Sequence, residues 1–579
     1  ASYCFLLYFN QETLNKFFKK NQINSIKIYI CILNIIPVKK ILFFLLISNY
    51  IFAQWSISNG ERSALISLYN STNGDHWSSS WNLEKDPKTW YGIKVKNGNV
   101  TEINLRGNAL KGNFPGTLSA FSQLEKLDLS SNQLQGDLSS GISGLTQLNR
   151  LDISNNRLSG DPSLTLASLS QLEELSIGNN FFAMNDIDGF LQNFTKIKVL
   201  DLSKLNLNTV PQKLSTYTNL EVLNLSNNLI SQNFNIINGL SKLTDLDLSG
   251  NQLTTIPAAI GLNVNLKSLN LSNNTFSANY SAPLSTLKNL EWLSLENNQI
   301  ENFPTELNQL TKLIHLNFGR NKISGGLSSL LNLTHLEQLF LNNNTFSGEF
   351  PTELLQLKKL QMLALSSNQF SGEIPQNIPA LTFIENNRFN ETQIHNFLSL
   401  NNAFTDFRYS PQRYDEETTI TAAIGANTSL TQSISGENYQ FSWFKTLDKN
   451  INVTSPNYSI NSVEEEDFDV YTCEAYFVKN YQNFLMEVSF FREPITLDRT
   501  LAIDEIAKNI TIYPNPTKDF IHIRSNNIKV ESSTIYDLSG KIIFTSKDSI
   551  INVKSLPAAV YLISIKTLNG IKTFKWIKN

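Results

Sequence analysis

Residues 243–251 read LTDLDLSGN, a unit in which Leu243, Leu246 and Leu248 are followed by Asn251. The same LxxLxLxxN pattern recurs at intervals of 23 to 25 residues, which marks an internal repeat. A period this short indicates one small supersecondary unit per repeat, and such units become stable only when they stack into a solenoid. The twelve copies start at Val100, Leu124, Leu148, Leu172, Ile197, Leu220, Leu243, Leu266, Leu290, Leu313, Leu336 and Leu360.

This pattern and period resemble leucine-rich repeats, and the resemblance predicts the fold of residues 100–400. The LxL portion of each copy alternates, so the fourth and sixth positions face the core, whereas the third, fifth and seventh face outward. One strand per copy then builds a parallel sheet on the concave side of an α/β-type solenoid. At a strand spacing of ~4.8 Å, the sheet offers a surface about 55 Å along its arc. We call this outward side of the sheet the concave face.

An asparagine occupies the ninth position of every copy except the fifth, where Leu205 replaces it. A buried amide at this place can bond the backbone groups that are left free where each strand turns into the next segment. We therefore interpret the asparagine ladder as structural rather than functional.

Large side chains interrupt the concave face in repeats nine to twelve. Trp292, His315 and Met362 occupy the third position, and Phe340 occupies the fifth, whereas most other residues at these positions are small or polar. Exposed aromatic side chains of this kind carry much of the energy of protein interfaces. These four residues form the predicted ligand-binding patch, for a protein, peptide or glycan. The alternative is that the downstream domain or an edge loop packs on them.

A row of aspartates, Asp128, Asp152, Asp201 and Asp247, lies on the fifth position of other strands. Aspartate is a common filler at this place, and a role in binding a cation or a charged ligand is the less favoured interpretation. Residues 1–53 and 503–579 each carry a net charge of +5, which leaves −13 on the section between them out of the total of −3. A section that acidic would repel phosphate backbones and anionic lipid, so no nucleic-acid partner is expected.

The tails of some repeats resemble the plant-type leucine-rich repeats of receptor kinases, whereas other tails are shorter. Residues 383–390, FIENNRFN, form a truncated repeat that is expected to close the array. The tails that carry the resemblance are KGNFP at 111–115, SGEFP at 347–351 and SGEIP at 371–375.

Residues 54–99 are predicted to cap the first repeat, because a terminal repeat would otherwise expose its hydrophobic face. The stretch ALISLYNSTNGDHW that ends at Trp77, followed by Trp81 and Trp90, resembles the cap of the same plant-type repeats. Plant caps usually carry a cysteine pair, and this one has none. We expect packing of the three tryptophans to replace the disulfide.

The start of the chain reads as a targeting segment. Residues 39–53, KKILFFLLISNYIFA, supply a basic pair, a largely apolar run and a small residue before Gln54, the layout of a secretory signal peptide. The run is too short to span ~30 Å of hydrocarbon, so no transmembrane segment is expected in the mature chain. Since the earliest methionine is Met184, we assign the signal peptide to residues 38–53 and treat residues 1–37 as an untranslated or artefactual upstream segment.

Residues 410–497 change to short alternating strands and resemble an immunoglobulin-like sandwich. Trp443 matches the core tryptophan of that fold, and Tyr471 lies two residues before Cys473, as in its tyrosine corner. The cysteine of strand B is missing, and counting back from Trp443 assigns its place to Gln432. Cys473 is therefore expected to be a buried free thiol with a packing role.

Residues 503–579 carry four motifs that together resemble the type A C-terminal sorting domain of the type IX secretion system of Bacteroidetes. The resemblance implies a second all-β sandwich, a partner in the type IX secretion machinery, and export to the outer cell surface or the medium. One departure is Ala559, where the family usually has glycine. The motifs are YPNPTKDFIHI at 513–523, IYDLSGKII at 535–543, LPAAVYLISI at 556–565 and KTFKWIKN at 572–579.

No catalytic constellation accompanies these modules. The sequence shows no nucleophile elbow, phosphate loop or paired carboxylates placed by a motif, and its five histidines and three cysteines lack metal-ligand spacing. We therefore expect no enzyme activity, no cofactor and no metal site. The favoured function is a secreted or surface-held recognition protein. The alternative is an adhesin-like structural component in which the solenoid serves mainly as a spacer.

Overall fold

The computed structural model describes residues 56–500 and 510–579, apart from 139, 278–279, 401–406, 447–448, 483, 527 and 568–569. The repeats build one fourteen-stranded sheet, which we call the main sheet. Its first two strands pair antiparallel and all later neighbours pair parallel, so the predicted solenoid sheet is confirmed. Its strands are Ile93–Lys96, Asn99–Asn104, Lys126–Asp128, Arg150–Asp152, Glu174–Ser176, Val199–Asp201, Val222–Asn224, Asp245–Asp247, Ser268–Asn270, Trp292–Ser294, His315–Asn317, Gln338–Phe340, Met362–Ala364 and Leu381–Phe383.

The leucines of the repeat pattern build the core, as the alternation predicts. Leu127, Leu129, Leu269 and Leu271 are fully buried, whereas Lys126 at a third position is exposed. Each buried leucine contributes roughly 2 kcal/mol of hydrophobic free energy, before the entropy of ordering the chain is subtracted. Because every repeat adds the same residues to one continuous core, the array is stabilised by stacking.

The asparagine ladder satisfies buried backbone groups between repeats. The Nδ2 of Asn132 donates to the carbonyls of Leu105 at 2.8 Å and Leu129 at 2.9 Å, and its Oδ1 accepts the N–H of Leu110 at 2.9 Å. Leu205 is buried at the equivalent place but has no amide with which to form such bonds. The structural interpretation of the ladder is confirmed.

The residue before each ladder position has a left-handed backbone, with φ between 51° and 64°. Asparagine and glycine tolerate this conformation best, and they supply most of the residues at this position. The left-handed residue turns the chain so that the following amide points into the core. These residues are Gly107, Ser131, Asn155, Asn179, Lys204, Asn227, Gly250, Asn273, Asn297, Arg320, Asn343, Ser367 and Asn386.

Short helices follow the strands of most repeats, and helices of neighbouring repeats lie against one another. Two of them are α-helical, Ser163–Leu166 and Ile187–Leu191. The 3₁₀ helices of the repeats are Gly116–Ala120, Ser140–Gly144, Gln212–Thr216, Phe234–Gly239, Ala258–Leu262, Ala282–Thr286, Thr305–Gln309, Leu327–Leu330 and Thr352–Gln356.

Two small parallel sheets form beside the main sheet, where the repeat tails are long. One has three strands and the other has two. They include KGNFP and SGEFP, the tails that the sequence singles out. Their strands are Lys111–Asn113, Gln133–Asp137 and Arg157–Ser159 in the first, and Ser347–Glu349 and Gln369–Ser371 in the second.

A cluster of aromatic rings holds the N-terminal cap together. The ring centroids of Tyr69 and Trp77 lie 5.0 Å apart, those of Trp77 and Trp81 4.9 Å, and those of Trp81 and Trp90 4.8 Å. All four rings are buried. The expected aromatic packing of the cap is confirmed. Two 3₁₀ helices, Gly74–His76 and Pro87–Thr89, complete this region.

The cap helix Asn59–Ser71 is tied to the first repeat by a buried carboxylate. The side chain of Ser58 caps the helix by accepting the N–H of Glu61 at 3.1 Å. The Oε1 of Glu61 in turn accepts the N–H of Val100 at 3.0 Å. One side chain therefore joins the cap to the start of the repeats.

The far end of the array is closed by helix Glu391–Leu400, in which Ile394 and Phe397 are fully buried. The chain then bonds directly to the truncated repeat. The N–H of Ile384 donates to the carbonyl of Arg408 at 2.8 Å, and the Nε2 of Gln412 donates to the carbonyl of Ile384 at 3.0 Å. The hydrophobic core continues from the repeats into the following domain.

That domain contains a seven-stranded and a two-stranded sheet. Trp443 and Cys473 lie opposite each other on paired strands and are both fully buried. The hydroxyl of Tyr471 donates to the carbonyl of Asp467 at 2.7 Å, which is the hydrogen bond of a tyrosine corner. The strands are Gln412–Tyr414, Thr418–Ala422, Thr428–Leu430, Tyr439–Lys445, Lys449–Asn450, Tyr458–Ile460, Val470–Asn480, Leu485–Arg492 and Ile495–Arg499, with a 3₁₀ helix at Glu465–Asp467.

The expected role of Gln432 is wrong. Its side chain is half-buried and bonds the backbone of Ile434 in its own turn, with Nε2 donating to the carbonyl at 2.8 Å. Leu430 is the fully buried residue of the preceding strand. A short polar turn after Leu430 satisfies the amide locally, so it has no reason to enter the core. Cys473 is free and buried, as expected.

The C-terminal domain packs a three-stranded and a four-stranded sheet around its own core, which includes the fully buried Ile563 and Trp576. Ala559 begins a strand without a left-handed backbone, so the lack of glycine there causes no strain. The strands are Ile510–Tyr513, Phe520–Ser525, Val530–Tyr536, Ile542–Ser546, Ile550–Asn552, Ala559–Thr567 and Gly570–Lys578.

The targeting interpretation concerns residues 1–53, which lie outside the described residues. In the part of the chain that the structure describes, no helix has the length and apolar character needed to cross a membrane.

Candidate functional site

The predicted patch lies on four neighbouring strands of the main sheet. In the row of third positions, Trp292 pairs with His315, His315 with Gln338, and Gln338 with Met362. Phe340 lies in the row of fifth positions. All four predicted residues are partly exposed. The structure therefore brings them onto one surface, with Gln338 between His315 and Met362.

Three of the four side chains form a continuous row of rings. Trp292 and His315 stack with centroids 5.0 Å apart and planes at 12°, and His315 meets Phe340 at 5.1 Å and 40°. Within the described residues, the ring contacts of Trp292 and Phe340 are to this histidine. In the alternative interpretation, the downstream domain or an edge loop packs on the patch. In the part of the chain that the structure describes, no ring from either of them contacts Trp292 or Phe340.

His315 is held in a fixed orientation by its neighbours. Its Nδ1 lies 2.9 Å from the Oε1 of Gln338, so with Oε1 as acceptor the imidazole carries its proton on Nδ1. Burial lowers the pKa of His315 below its ordinary value of 6.5, although the bond to Gln338 acts in the opposite direction. The histidine is therefore neutral at physiological pH and serves as an aromatic spacer between the two larger rings.

The aspartate row has a structural role. The Oδ1 of Asp128 accepts both the N–H of Ser130 at 3.0 Å and its hydroxyl at 2.6 Å, and Asp247 does the same with Ser249 at 2.8 and 2.6 Å. Asp128 is buried, although the alternation predicts that fifth positions face outward. The short side chain bends back to the turn that follows its strand, which explains why aspartate and asparagine recur there.

Burial has a cost for some of these carboxylates. It raises the pKa of Asp152 and Asp201 above the ordinary value, against the hydrogen bonds from Ser154 and Ser203. Across the described part of the chain, no group of three or more histidines, cysteines, aspartates or glutamates is placed to hold a metal ion. The row caps turns rather than forming a recognisable cation site.

The structure also contains a depression on the main sheet that the sequence did not predict. Its volume is about 340 Å³, and it adjoins the upstream side of Trp292. Ser268 and Asp245 face it from the next two strands, in register with Trp292. The sequence contained a usable signal, because the third positions read Asp, Ser and Trp over three successive repeats.

Three family models match parts of the chain. Residues 98–158, 242–262, 335–357 and 359–381 match leucine rich repeat families, and residues 511–579 match the secretion system C-terminal sorting domain. No curated protein matches the chain. The protein is therefore a leucine-rich repeat protein that ends in a type IX secretion sorting domain.

Several solved structures are similar to part of the chain. An internalin from Listeria monocytogenes is 26% identical, with a TM-score of 0.38 over 48% of this chain and 87% of that one. A leucine-rich repeat protein of Leptospira interrogans is 30% identical, with a TM-score of 0.43 over 53% and 83%. The plant peptide hormone receptor RGFR1 in complex with RGF2 is 25% identical, with a TM-score of 0.42 over 54% of this chain and 51%, about half, of the receptor.

Proposed function

We propose that this leucine-rich repeat protein is exported by the type IX secretion system of a Bacteroidetes bacterium and recognises an extracellular protein, peptide or glycan. Binding takes place on the concave face, at the patch of Trp292, His315, Phe340 and Met362. The single observation that carries the proposal is the row of three neighbouring rings on a regular sheet face whose other outward residues are mostly small or polar.

The geometry of the row supports recognition for a physical reason. Stacked rings lose little conformational entropy on binding, because each ring already restricts its neighbour. The rings sit on strands whose register is fixed by backbone hydrogen bonds on both sides. Large aromatic side chains that are rigid and partly exposed are the typical anchors of interfaces.

The remaining modules fit a protein outside the cell. We propose that residues 38–53 are a signal peptide removed on export, and that residues 410–497 form an immunoglobulin-like domain. The tyrosine corner of Tyr471 and the cross-strand pairing of the buried Trp443 and Cys473 support this domain type. The long repeat tails that build the small side sheets support plant-type repeats. The protein has no proposed catalytic activity.

The test uses the exported protein, a random dodecapeptide display library and a glycan array. The variant Trp292→Ala/Phe340→Ala is compared with Lys126→Ala, which changes an exposed third-position residue far upstream on the same face. For ligands that bind the wild type and the control equally well, we expect the double variant to lose about 2 kcal/mol or more of binding free energy. This loss corresponds to a roughly thirtyfold higher Kd. Equal affinity for all three proteins would refute a binding role for the patch.

The second candidate is the structural one, in which the solenoid is a spacer. The observation that favours it is the direct bonding of the downstream domain to the last repeat, which makes a continuous core. Concentration-dependent self-assembly of the exported protein, with no ligand recovered from either library, would support this function instead.

A further inference from the structure

A slot opens on the concave face beside Trp292. On its downstream side, this ring is covered by the imidazole of His315. Its upstream neighbour in register is Ser268, and the next is Asp245. Because serine is short, it leaves open space between the ring and Asp245, which lies two strand spacings away, about 10 Å. The resulting depression of about 340 Å³ has Trp292 at one end and Val222 and Asn224 at the other, with Asp245 between them.

The two aspartates that line the slot differ in how many of their carboxylate oxygens accept hydrogen bonds from the protein. Asp247 uses Oδ1 for Ser249, and its Oδ2 accepts the Nδ2 of Asn270 at 3.0 Å. Asp245 uses only Oδ2, which accepts the hydroxyl of Thr244 at 2.7 Å. Among the residues that the structure describes, Asp245 Oδ1 therefore accepts no hydrogen bond from the protein and keeps its acceptor capacity.

Two glutamates at third positions of this face are paired with cations on the protein itself. Glu174 meets Arg150 at 2.9 Å, and Glu102 meets Lys94 at 2.8 Å. Within the described residues, Asp245 is in no ion pair. A carboxylate beside an open aromatic face is complementary to a positive, donor-rich and planar group.

We propose that this slot binds an arginine side chain of a protein or peptide ligand, an inference that rests on the proposed function of the patch. The guanidinium stacks on the open face of Trp292, and its positive charge is attracted to the carboxylate of Asp245 two strands away. Arginine fits better than lysine because its cation is planar, weakly hydrated and able to stack on an aromatic ring. The net charge of −13 on the section from 54 to 502 draws such a ligand toward the face.

The experiment follows Trp292 directly. The exported protein is labelled with 5-fluorotryptophan, its ¹⁹F resonance for residue 292 is assigned with Trp292→Phe, and Nα-acetylarginine amide is titrated in. The matched probes are Nα-acetyllysine amide, the neutral isostere Nα-acetylcitrulline amide, and methyl glucoside. We expect a saturable shift with the arginine probe, severalfold weaker binding of the lysine probe, and at least tenfold weaker binding of the two neutral probes.

Two variants locate the contact. Asp245→Asn keeps the size of the side chain but removes its charge, and we expect it to weaken the arginine probe about tenfold. Asp201→Asn makes the same change on a strand outside the slot and should leave binding as in the wild type. The proposal would be overturned if the arginine probe bound wild type and Asp245→Asn equally well. It would also be overturned if the citrulline, lysine or glucoside probe bound as tightly as the arginine probe.

The outcome separates this inference from the wider function. If library ligands depend on Trp292 and Phe340 but the arginine probe leaves the resonance of residue 292 unmoved, the patch still recognises ligands and the arginine slot is refuted. If the probe binds with the expected selectivity and neither library yields a ligand, the slot is supported and the proposed recognition function fails.

Discussion

The rings of Trp292 and His315 stack with their centroids 5.0 Å apart and their planes 12° from parallel. Stacking of this kind joins two neighbouring repeats through their outward side chains, in addition to the backbone bonds between their strands. The histidine also contacts Phe340, so its environment reports on the whole row.

The first prediction uses His315 as that reporter. Burial is the main cause of its lowered pKa, so Trp292→Ala should raise the pKa toward the ordinary value of 6.5, as measured by NMR titration. Met362→Ala, on the far side of Gln338, should leave it unchanged. Because the folded chain favours neutral His315, its contribution to stability is complete above pH 6.5 and is lost as pH falls toward the lowered pKa. An unchanged pKa in Trp292→Ala would mean that the stack does not bury the imidazole.

The second prediction tests the phase of the repeats. Leu269 is fully buried, so Leu269→Asp should reduce the free energy of unfolding by about 3 kcal/mol or more in denaturant titrations. The control is Val264→Asp, the same apolar-to-acid change at an exposed residue five positions earlier. We expect the control to change stability by less than about 1 kcal/mol. Similar losses in the two variants would contradict the assigned phase.

The third prediction concerns the cost of a buried charge at Asp201. Burial raises its pKa, so ionisation disfavours the folded chain, and this penalty appears as pH rises through the raised pKa. Asn224 accepts the equivalent N–H bond, from Ser226 at 2.9 Å. Asp201→Asn should therefore raise the melting temperature at pH 7. Below pH 3.8, where the carboxyl is protonated in both folded and unfolded chains, the gain should vanish. A lower melting temperature at pH 7 would show that the charge itself is needed.

The fourth prediction concerns Cys473, the only cysteine of the chain after residue 53. Burial raises the pKa of its thiol to about 11. Relative to a thiol of ordinary pKa near 8.5, this leaves roughly 200-fold less thiolate at pH 8. Modification by iodoacetamide should be slower by at least that factor in the folded protein than in denaturant, and reductant should not alter the melting curve. Rapid labelling of the folded protein would place the thiol at the surface.

The fifth prediction concerns export. Removing residues 510–579 should leave the protein in the periplasm, because the match to the secretion sorting domain covers 511–579. Removing residues 39–53 should leave it in the cytoplasm, since this segment reads as the signal peptide. Cell fractionation of the two truncations beside the full chain measures both effects. Surface display of either truncation at the level of the full chain would contradict the targeting scheme.

The sequence by itself determined the repeat phase, the buried leucines, the asparagine ladder and the aromatic packing of the cap. These features are periodic or local, so the spacing of residues along the chain fixes which side chains meet. The same logic placed Trp292, His315, Phe340 and Met362 on one face, because a parallel sheet with one strand per repeat puts equal positions side by side.

Only the tertiary structure decided what those side chains do once they are neighbours. It showed that Asp128 bends back to cap a turn although its position faces outward, and that Gln432 stays in its own turn rather than entering the core. It also showed that His315 links two rings into one row, and that the small Ser268 leaves a slot between Trp292 and Asp245. Alternation along a strand fixes the side of the sheet from which a side chain leaves the backbone. The rotamer, the hydrogen bonds and the space between side chains depend on neighbours about 23 residues away in the sequence, and those interactions exist only after the repeats have stacked.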